Sequence, residues 1–207
     1  MQSKKDRNKP YLKEELSLSK NVVIVCAPKG SDSVASGIAL ALYIEDIFNK
    51  KPEIVYTGDF IDINPELLEL FDVKSSLPLR SLKVTIDYKG SQIHTVDYYK
   101  EEDSKLVLDI KPIGSDFDSS RIKYDYVGSS YDLVFSIGAK FLKDVGDIGT
   151  AKIINVDNSQ ENEMFGLINI VDENAKSLSE IIFAQFAKWG YVPNEKISKS
   201  LLIGLSG

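Results

Sequence analysis

The feature that most constrains the fold is an unbroken apolar run near the start of the chain, NVVIVCAP at residues 21–28. The run is rich in β-branched residues and ends at proline, which indicates a strand that is buried on both faces. The segment SDSVASGIALALYIEDIFNKK follows with apolar residues at near-helical spacing, and either Asp32 or Ser33 could cap that helix. A doubly buried strand that leads into a helix is typical of a parallel sheet covered by helices.

The same alternation of strands and helices continues along the chain. PEIVYTGD predicts a strand, and NPELLELFDV predicts a short helix with Asn64 as its cap and Pro65 as its first residue. Later, YDLVFSIG, AKIINVD and FGLINIVD predict strands, whereas AKFLKDVGDIG and the start of EKISKSLLIGLSG predict short helices. SLSEIIFAQFAKWGY predicts a helix that opens on a capping-box pair, Ser177 and Glu180. The sequence therefore predicts an α/β fold with a mainly parallel sheet flanked by helices.

Residues 81–111 follow a different period. Their apolar side chains alternate by two, and YKGS supplies a turn, which predicts an antiparallel hairpin or three-stranded meander. We expect a looser connector after it, so that one α/β domain at residues 21–207 carries a β insertion at about residues 81–127. Tyrosines in and around the insertion could form a partner surface or could be ordinary strand residues; they are Tyr88, Tyr98, Tyr99, Tyr124 and Tyr126.

Charge and cysteine content exclude several classes of protein. A net charge of −6 argues against strong binding of duplex DNA, which needs a basic face. Positive charge clusters only in the first thirteen residues, and residues 1–20 predict a flexible, solvated segment more strongly than a nucleic-acid-binding arm. No apolar run is long enough to span a membrane, and the N-terminus lacks a secretion signal. The single cysteine, Cys26, excludes an internal disulfide and predicts a cytoplasmic protein.

Three carboxylates follow predicted strands at the edge where an open parallel sheet binds its ligands: Asp32, Asp59 and Asp157. Asp32 and Asp157 could together hold one divalent ion. Cys26 lies beside them, but it reads better as a small residue at the end of a buried strand than as a ligand or nucleophile. The single histidine, His94, lies in the alternating insertion and has no second histidine with which to bind a metal.

The segment PKGSDSVASG fits neither common phosphate-binding glycine pattern. Two interpretations remain open. It could be a plain turn from strand to helix, or the helix N-terminus could hold an anion at Ser31, Asp32 and Ser33.

The segments VVIVCAPKGSDSVASGIALAL, YDLVFSIGAKFLKDVG and INVDNSQENEMFGLINIVDENAKSLSEIIF resemble, in this order, three motifs of the DHH phosphoesterase superfamily. The family includes exonucleases, oligoribonucleotide hydrolases, cyclic-dinucleotide phosphodiesterases and a class of pyrophosphatase. The resemblance covers residues 21–207, and the family's smaller C-terminal substrate-binding lobe has no counterpart here. The third motif matches most specifically, at Asn155, Asp157, Asn162, Phe165, Gly166, Asn169, Val171, Asp172, Ser177 and Glu180.

The chain departs from this family at the positions that would hold two metal ions. The resemblance places Cys26 at the motif histidine, Gly30 at its first Asp, Gly138 at the bridging Asp, and Asn158 and Ser159 at the two histidines of the triplet. Asp32 is the one ligand position retained, while the family's counterpart of Asp157 mainly supports its neighbours. Gly, Asn and Ser cannot supply the hard carboxylate donors that Mn or Mg prefers.

The resemblance therefore implies a catalytically degenerate domain with no cofactor. We expect it to bind a nucleotide, a short oligonucleotide or a protein partner without hydrolysis, and it could form a homo-oligomer. The alternative is an active phosphoesterase for short oligonucleotides or cyclic dinucleotides, with one Mn or Mg ion in a site rebuilt from Cys26, Asp32, Asp59 and Asp157.

Overall fold

The computed structural model describes residues 8–78, 81–90, 92–127 and 131–206. The chain divides into two compact units. We call Met1–Pro78 together with Ser129–Gly207 the α/β unit, and Leu79–Gly128 the β unit. Within the described ranges, no helix has the length and apolar character needed to cross a membrane.

Strands and helices alternate in the α/β unit, whereas the β unit contains strands and short turns. The strands are β1 (Val22–Cys26), β2 (Glu53–Tyr56), β3 (Val73–Lys74), β4 (Ser81–Ile86), β5 (Gln92–Glu101), β6 (Lys105–Ile113), β7 (Ile122–Val127), β8 (Leu133–Ile137), β9 (Lys152–Asp157) and β10 (Ile168–Val171). The helices are α1 (Asn8–Leu18), α2 (Gly30–Phe48), α3 (Pro65–Leu70), α4 (Leu178–Trp189) and α5 (Glu195–Ser206).

The α/β unit is built on a six-stranded sheet in the order β10–β9–β8–β1–β2–β3. Every neighbouring pair in this sheet is parallel. The predicted α/β fold class is therefore confirmed. Because the chain leaves β1 toward β2 first and returns to its other side at β8, the strand order reverses between β1 and β8. Such a reversal creates a crevice at the carboxyl ends of the two strands.

Residues of the central strands alternate between two apolar layers. Ile24, Cys26 and Ile54 belong to a buried cluster shared with the helices, whereas Val23 and Val25 face the opposite layer. That second layer is completed by partly buried residues from connecting segments: Leu77, Tyr131, Ile148, Ala151 and Phe165. Burial on both faces explains why the strand sequences are continuous apolar runs.

Two predicted helix starts are present. Asn64 caps α3, because its side-chain oxygen accepts the N–H of Glu66, and Pro65 is the first helical residue. The Ser177 hydroxyl accepts the N–H of Glu180 at the start of α4. A capping box also predicts that the Glu180 carboxylate accepts the N–H of Ser177. It accepts the N–H of Lys176 instead.

Three local predictions were wrong. Helix α2 begins at Gly30 without a side-chain cap, so neither Asp32 nor Ser33 caps it. The predicted helix after β8 is only a short 3-10 turn, Leu142–Asp144, and Gly146 follows it at a φ of +88°. The predicted flexible segment contains α1 from residue 8 onward; its first seven residues lie outside the described chain. Two leucines, Leu12 and Leu16, account for the order of α1, because both are buried in the core.

The β unit contains two antiparallel ribbons. Strand β5 pairs with β6, and β4 pairs with the more distant β7. The predicted antiparallel hairpin is thus present as β5–β6, whereas the three-stranded meander is not, because β4 pairs with β7. The predicted connector contains β7. The reversal occurs between β5 and β6, where Asp103 and Ser104 have φ values of +68° and +62°. His94 is exposed on β5, as expected for a residue on a strand face.

Candidate functional site

The candidate site lies at the carboxyl ends of β1, β8 and β9. Lys29 follows β1, Gly138 follows β8, and Asp157 is the last residue of β9. Since β1 and β8 flank the point where the strand order reverses, this edge is where a sheet of this type forms a ligand-binding crevice.

An ion pair between Lys29 and Asp157 occupies this edge. The Lys29 Nζ donates to Asp157 Oδ1 at 2.6 Å and to Asn158 Oδ1 at 2.9 Å. The Asp157 side chain is 0% exposed, whereas that of Lys29 is 30% exposed. A buried carboxylate without a counter-charge would be strongly unfavourable, so the ammonium is what permits Asp157 to be buried in its charged form.

Gly138 provides the space for the Lys29 side chain. Its φ is +81°, a backbone conformation in which L side chains are strained. A Cβ at this position would lie 3.0 Å from Lys29 Cδ and 2.9 Å from Leu178 Cδ1. The glycine is thus required both by the backbone and by the lysine stem that passes it.

An asparagine network holds the loop after β9. Asn162 Nδ2 donates to Asp157 Oδ2 at 2.9 Å and to the carbonyl of Ala139 at 3.0 Å. Asn162 Oδ1 accepts from Asn155 Nδ2 at 2.7 Å, and the same amide donates to Asn169 Oδ1 at 3.1 Å. The second oxygen of Asp157 is therefore bonded within the loop. The asparagines of the third motif hold that loop in place through these hydrogen bonds.

Gly166 allows the chain to pass closely over β9. A Cβ there would lie 2.6 Å from the Ile168 carbonyl and 2.9 Å from Asn155. Its N–H and C=O are both bonded to the Asn169 side chain, at 3.0 and 2.8 Å. Packing and hydrogen bonding therefore explain why these two residues match the motif, without any catalytic role.

Asp32 points to helix α4. Its Oδ2 accepts the N–H of Leu178 at 2.7 Å, and its Oδ1 accepts the N–H of Ser179 at 2.9 Å. These are amides of the first turn of α4, which have no partner within the helix. The Asp32 carboxylate thus caps α4 from a distant part of the chain, and the positive end of the helix dipole further favours its negative charge there.

Cys26 lies in the core. Its side chain is 0% exposed, and burial raises the pKa of its thiol. The nearby Gly37 has no room for a Cβ, which would lie 2.5 Å from the cysteine sulfur. A protonated, inaccessible thiol is a packing residue and not a nucleophile.

The hydroxyls of the predicted anion site are bonded to the backbone. The Ser31 hydroxyl donates to the Asp62 carbonyl at 3.2 Å and accepts the N–H of Asn64 at 2.8 Å. The Ser33 hydroxyl donates to the Ala27 carbonyl at 2.7 Å. Gly30, the first residue of α2, has a φ of +61°. Anion binding at this helix start remains a prediction.

The remaining predicted residues, Asp59 and Ser159, are separate from the ion pair. Asp59 is exposed and accepts the N–H of Ile61 at 3.1 Å in a 3-10 turn. The Ser159 hydroxyl accepts the N–H of Glu161 at 3.3 Å. Across the described ranges, no three His, Cys, Asp or Glu side chains lie close enough together to hold a metal ion.

Sequence reasoning missed Lys29, the residue that organises the site. It lies three residues after the end of β1, but its partner is 128 positions away in the sequence. The sequence features that could have indicated this contact are the lysine at 29, the glycine at 138 and the asparagine at 158, each of which follows a strand. Only the folded geometry shows that these three positions meet.

No sequence profile of a known protein family matches this chain. A search of curated proteins likewise finds no similar sequence. Among solved structures, the chain is similar to an exopolyphosphatase-related protein from Bacteroides fragilis, with a TM-score of 0.54 and 13% sequence identity. The match covers 95% of this chain and 48% of that one, so the chain spans about half the length of this structure. The fold is therefore that of an α/β protein similar to an exopolyphosphatase-related protein; identity this low establishes the fold alone.

Proposed function

We propose that this chain is a phosphoesterase-like α/β domain that binds a phosphate-bearing ligand without hydrolysing it. The observation that carries the proposal is the Lys29 ammonium, 2.6 Å from Asp157 at the carboxyl edge of the sheet. The resemblance to DHH phosphoesterases implies metal ions at this edge, whereas this chain supplies a lysine there. The distant similarity to an exopolyphosphatase-related protein supports the scaffold but not the chemistry.

The side chains at this edge do not fit a pair of Mn or Mg ions. Asp32 uses both oxygens on α4, and Asp157 uses both on Lys29 and Asn162. Gly138 offers no side-chain donor. A divalent ion about 4 Å from the ammonium would be repelled by roughly 8 kcal/mol at an effective dielectric constant of about 20. Water activation by two metals therefore has neither the ligands nor the charge balance that it needs.

The Lys29 ammonium can also donate a hydrogen bond to a bound ligand. An ammonium has three N–H donors, and two are used by Asp157 and Asn158. The third has no partner among the residues that the structure describes, and the side chain is 30% exposed. Lys140, which follows β8, adds a second positive charge that is paired with Glu161 at 2.8 Å. A phosphate oxygen of a nucleotide or short oligonucleotide is an acceptor suited to such donors.

Calorimetry tests this proposal directly. We expect a short oligoribonucleotide or a nucleotide to bind the wild type, and Lys29→Gln to weaken binding about tenfold or more, equal to 1.4 kcal/mol. Lys199→Gln is the matched control, because Lys199 forms an exposed ion pair with Glu66 on another part of the α/β unit. We expect that variant to bind as the wild type does. Equal binding by Lys29→Gln and the wild type would exclude the proposed contact.

Titration with manganese and an assay of turnover test the alternative. An active site rebuilt from Cys26, Asp32, Asp59 and Asp157 would release mononucleotide from short RNA in the presence of Mn or Mg, and Asp32→Ala would abolish the release. We expect no turnover of RNA or of a cyclic dinucleotide. Micromolar binding of two manganese ions, or metal-dependent turnover by the wild type, would overturn the proposal.

The β unit supports a second candidate function, assembly with another copy of the chain. One face of the β5–β6 ribbon is mostly apolar: its exposed side chains include Val96 (57%), Tyr98 (76%), Leu106 (63%) and Leu108 (49%), and Lys100 lies opposite Leu106 at its end. The opposite face carries charged residues, including Asp97, Asp109 and Lys111. A contiguous exposed apolar patch often marks an interaction surface, whereas single exposed apolar residues are common on any protein. A two-stranded ribbon also becomes more stable when another element packs on its apolar face.

Two adjacent tyrosines provide a matched test of assembly. Tyr98 lies on the apolar face opposite Leu108, whereas Tyr99 lies on the charged face opposite Val107. We expect light scattering to show a dimer that Tyr98→Ser dissociates and Tyr99→Ser does not. A monomeric wild type, or equal effects of the two substitutions, would rule out this interface.

A further inference from the structure

We infer that the Lys29 ammonium supplies a positive charge that the buried Asp157 requires, and that removal of this ammonium opens a site for a small exogenous cation. This inference goes beyond the proposed function, because it holds whether or not the crevice binds a phosphate. It rests on charge, on donor geometry and on space.

The charge balance requires a cation at this point. Asp157 is 0% exposed, and its two oxygens accept from Lys29 and from the neutral amide of Asn162. In the described part of the chain, Lys29 supplies the only ion pair of this carboxylate. Loss of the ammonium would therefore leave a buried negative charge that has one neutral donor.

The donor geometry around the ammonium is that of a cation site. Asn158 Nδ2 donates to the Ala175 carbonyl at 3.2 Å, which orients the amide so that its oxygen faces Lys29. A carboxylate oxygen and an amide oxygen thus converge on one positive centre. Both are among the oxygen donors that hard cations prefer.

The space for this cation is built into the backbone. Lys29 Cδ and Cε would lie 3.0 and 3.5 Å from a Cβ at residue 138, so the lysine stem runs where a side chain at this position, just after β8, would otherwise project. Lysine at 29 and glycine at 138 are therefore mutually dependent. We expect truncation of the lysine to leave this space open from the partly exposed end of the side chain to Asp157.

Chemical rescue of Lys29→Ala tests the inference without any phosphate ligand. We expect this variant to lose roughly 10 °C in melting temperature, because a buried carboxylate loses its partner. Methylammonium chloride should recover at least half of that loss, since it can enter the vacated space and donate N–H groups to Asp157. Tetramethylammonium chloride is the matched control: it supplies the same charge and ionic strength but has no N–H. The wild type should shift by less than about 1 °C in either salt.

Manganese chloride is a second probe of the vacated site, and we expect it to raise the melting temperature of Lys29→Ala more than that of the wild type. Equal melting temperatures of Lys29→Ala and the wild type would overturn the inference. So would equal effects of the two ammonium salts on the variant.

A second pair of variants decides the outcome if Lys29→Ala does not fold. Lys29→Met keeps most of the stem and removes the charge, while the double variant Lys29→Met/Asp157→Asn removes both charges. We expect the double variant to be more stable than Lys29→Met, or to be recovered folded where Lys29→Met is not. A double variant that is no better than Lys29→Met would show that Asp157 needs no cation, and the inference would fail. Because these measurements contain no nucleotide, their failure is distinct from that of the ligand-binding proposal.

Discussion

The Asp32→Ala substitution distinguishes a structural carboxylate from a metal ligand. Asp32 accepts the N–H groups of Leu178 and Ser179 at 2.7 and 2.9 Å, at the start of α4. A hydrogen bond to a charged group contributes about 1.5–3 kcal/mol, and water can partly replace it at this half-buried position. We therefore expect a loss of about 3 kcal/mol in the free energy of unfolding. With a urea m-value of about 2 kcal/mol/M, the midpoint would fall by about 1.5 M.

The assay is urea unfolding followed by circular dichroism, with EDTA present throughout. Asp59→Ala is the matched control, since Asp59 is an exposed carboxylate near the same sheet edge that accepts a single N–H at 3.1 Å. Its midpoint should fall by less than about 0.5 M. Asp32→Asn should be intermediate, because it keeps one oxygen acceptor but loses the charge. If Asp32→Ala matched the wild type in EDTA and differed only with manganese, Asp32 would be a metal ligand and the capping role would be refuted.

Three further predictions concern other parts of the fold. Burial raises the pKa of the Cys26 thiol, so the native protein should resist Ellman's reagent and react with it only on unfolding. Burial and the hydrogen bond to Asp46 raise the pKa of Tyr191 to about 12, so stability should be intact below pH 10 and should fall between pH 10 and 12. Tyr191→Phe should flatten that fall in urea titrations across this range. Gly204→Ala should lower the free energy of unfolding by about 1–3 kcal/mol, because a Cβ at residue 204 would collide with Ser179 Oγ. Unchanged stability of this variant would show that α5 can move away from Ser179.

The main elements of the α/β unit could be predicted because their signals are local. Doubly buried strands read as continuous apolar runs, and the start of α3 is encoded by Asn64 and Pro65 within one turn. The cap of α4 by Asp32 could not be predicted in this way. It joins residues 146 positions apart, so the sequence pattern suggested the nearer helix α2 instead.

The pairing within the β unit shows the same limit. Alternation by two identified strands, but it does not state which strands pair. The YKGS turn suggested a hairpin between β4 and β5, whereas the reversal lies at Asp103 and Ser104. Strand β7 was overlooked because its alternating residues, from Ile122 to Tyr126, follow a polar, aspartate-rich segment that resembles a loop.

The sequence identified several positions of the candidate site only as departures from the motifs that it resembles, and the structure shows how two of these positions are connected. Cysteine for a histidine, glycine for a bridging carboxylate and asparagine for a histidine look independent when read from the resemblance alone. The folded chain connects the last two through Lys29, whose stem needs the glycine at 138 and whose ammonium bonds the amide at 158. The buried Asp157 explains why some cation is required at all, because its charge is retained while the neighbouring donors are neutral. Lys29, which follows β1, meets that requirement, and its bond to Asp157 together with that of Asn162 fixes the start of the loop after β9.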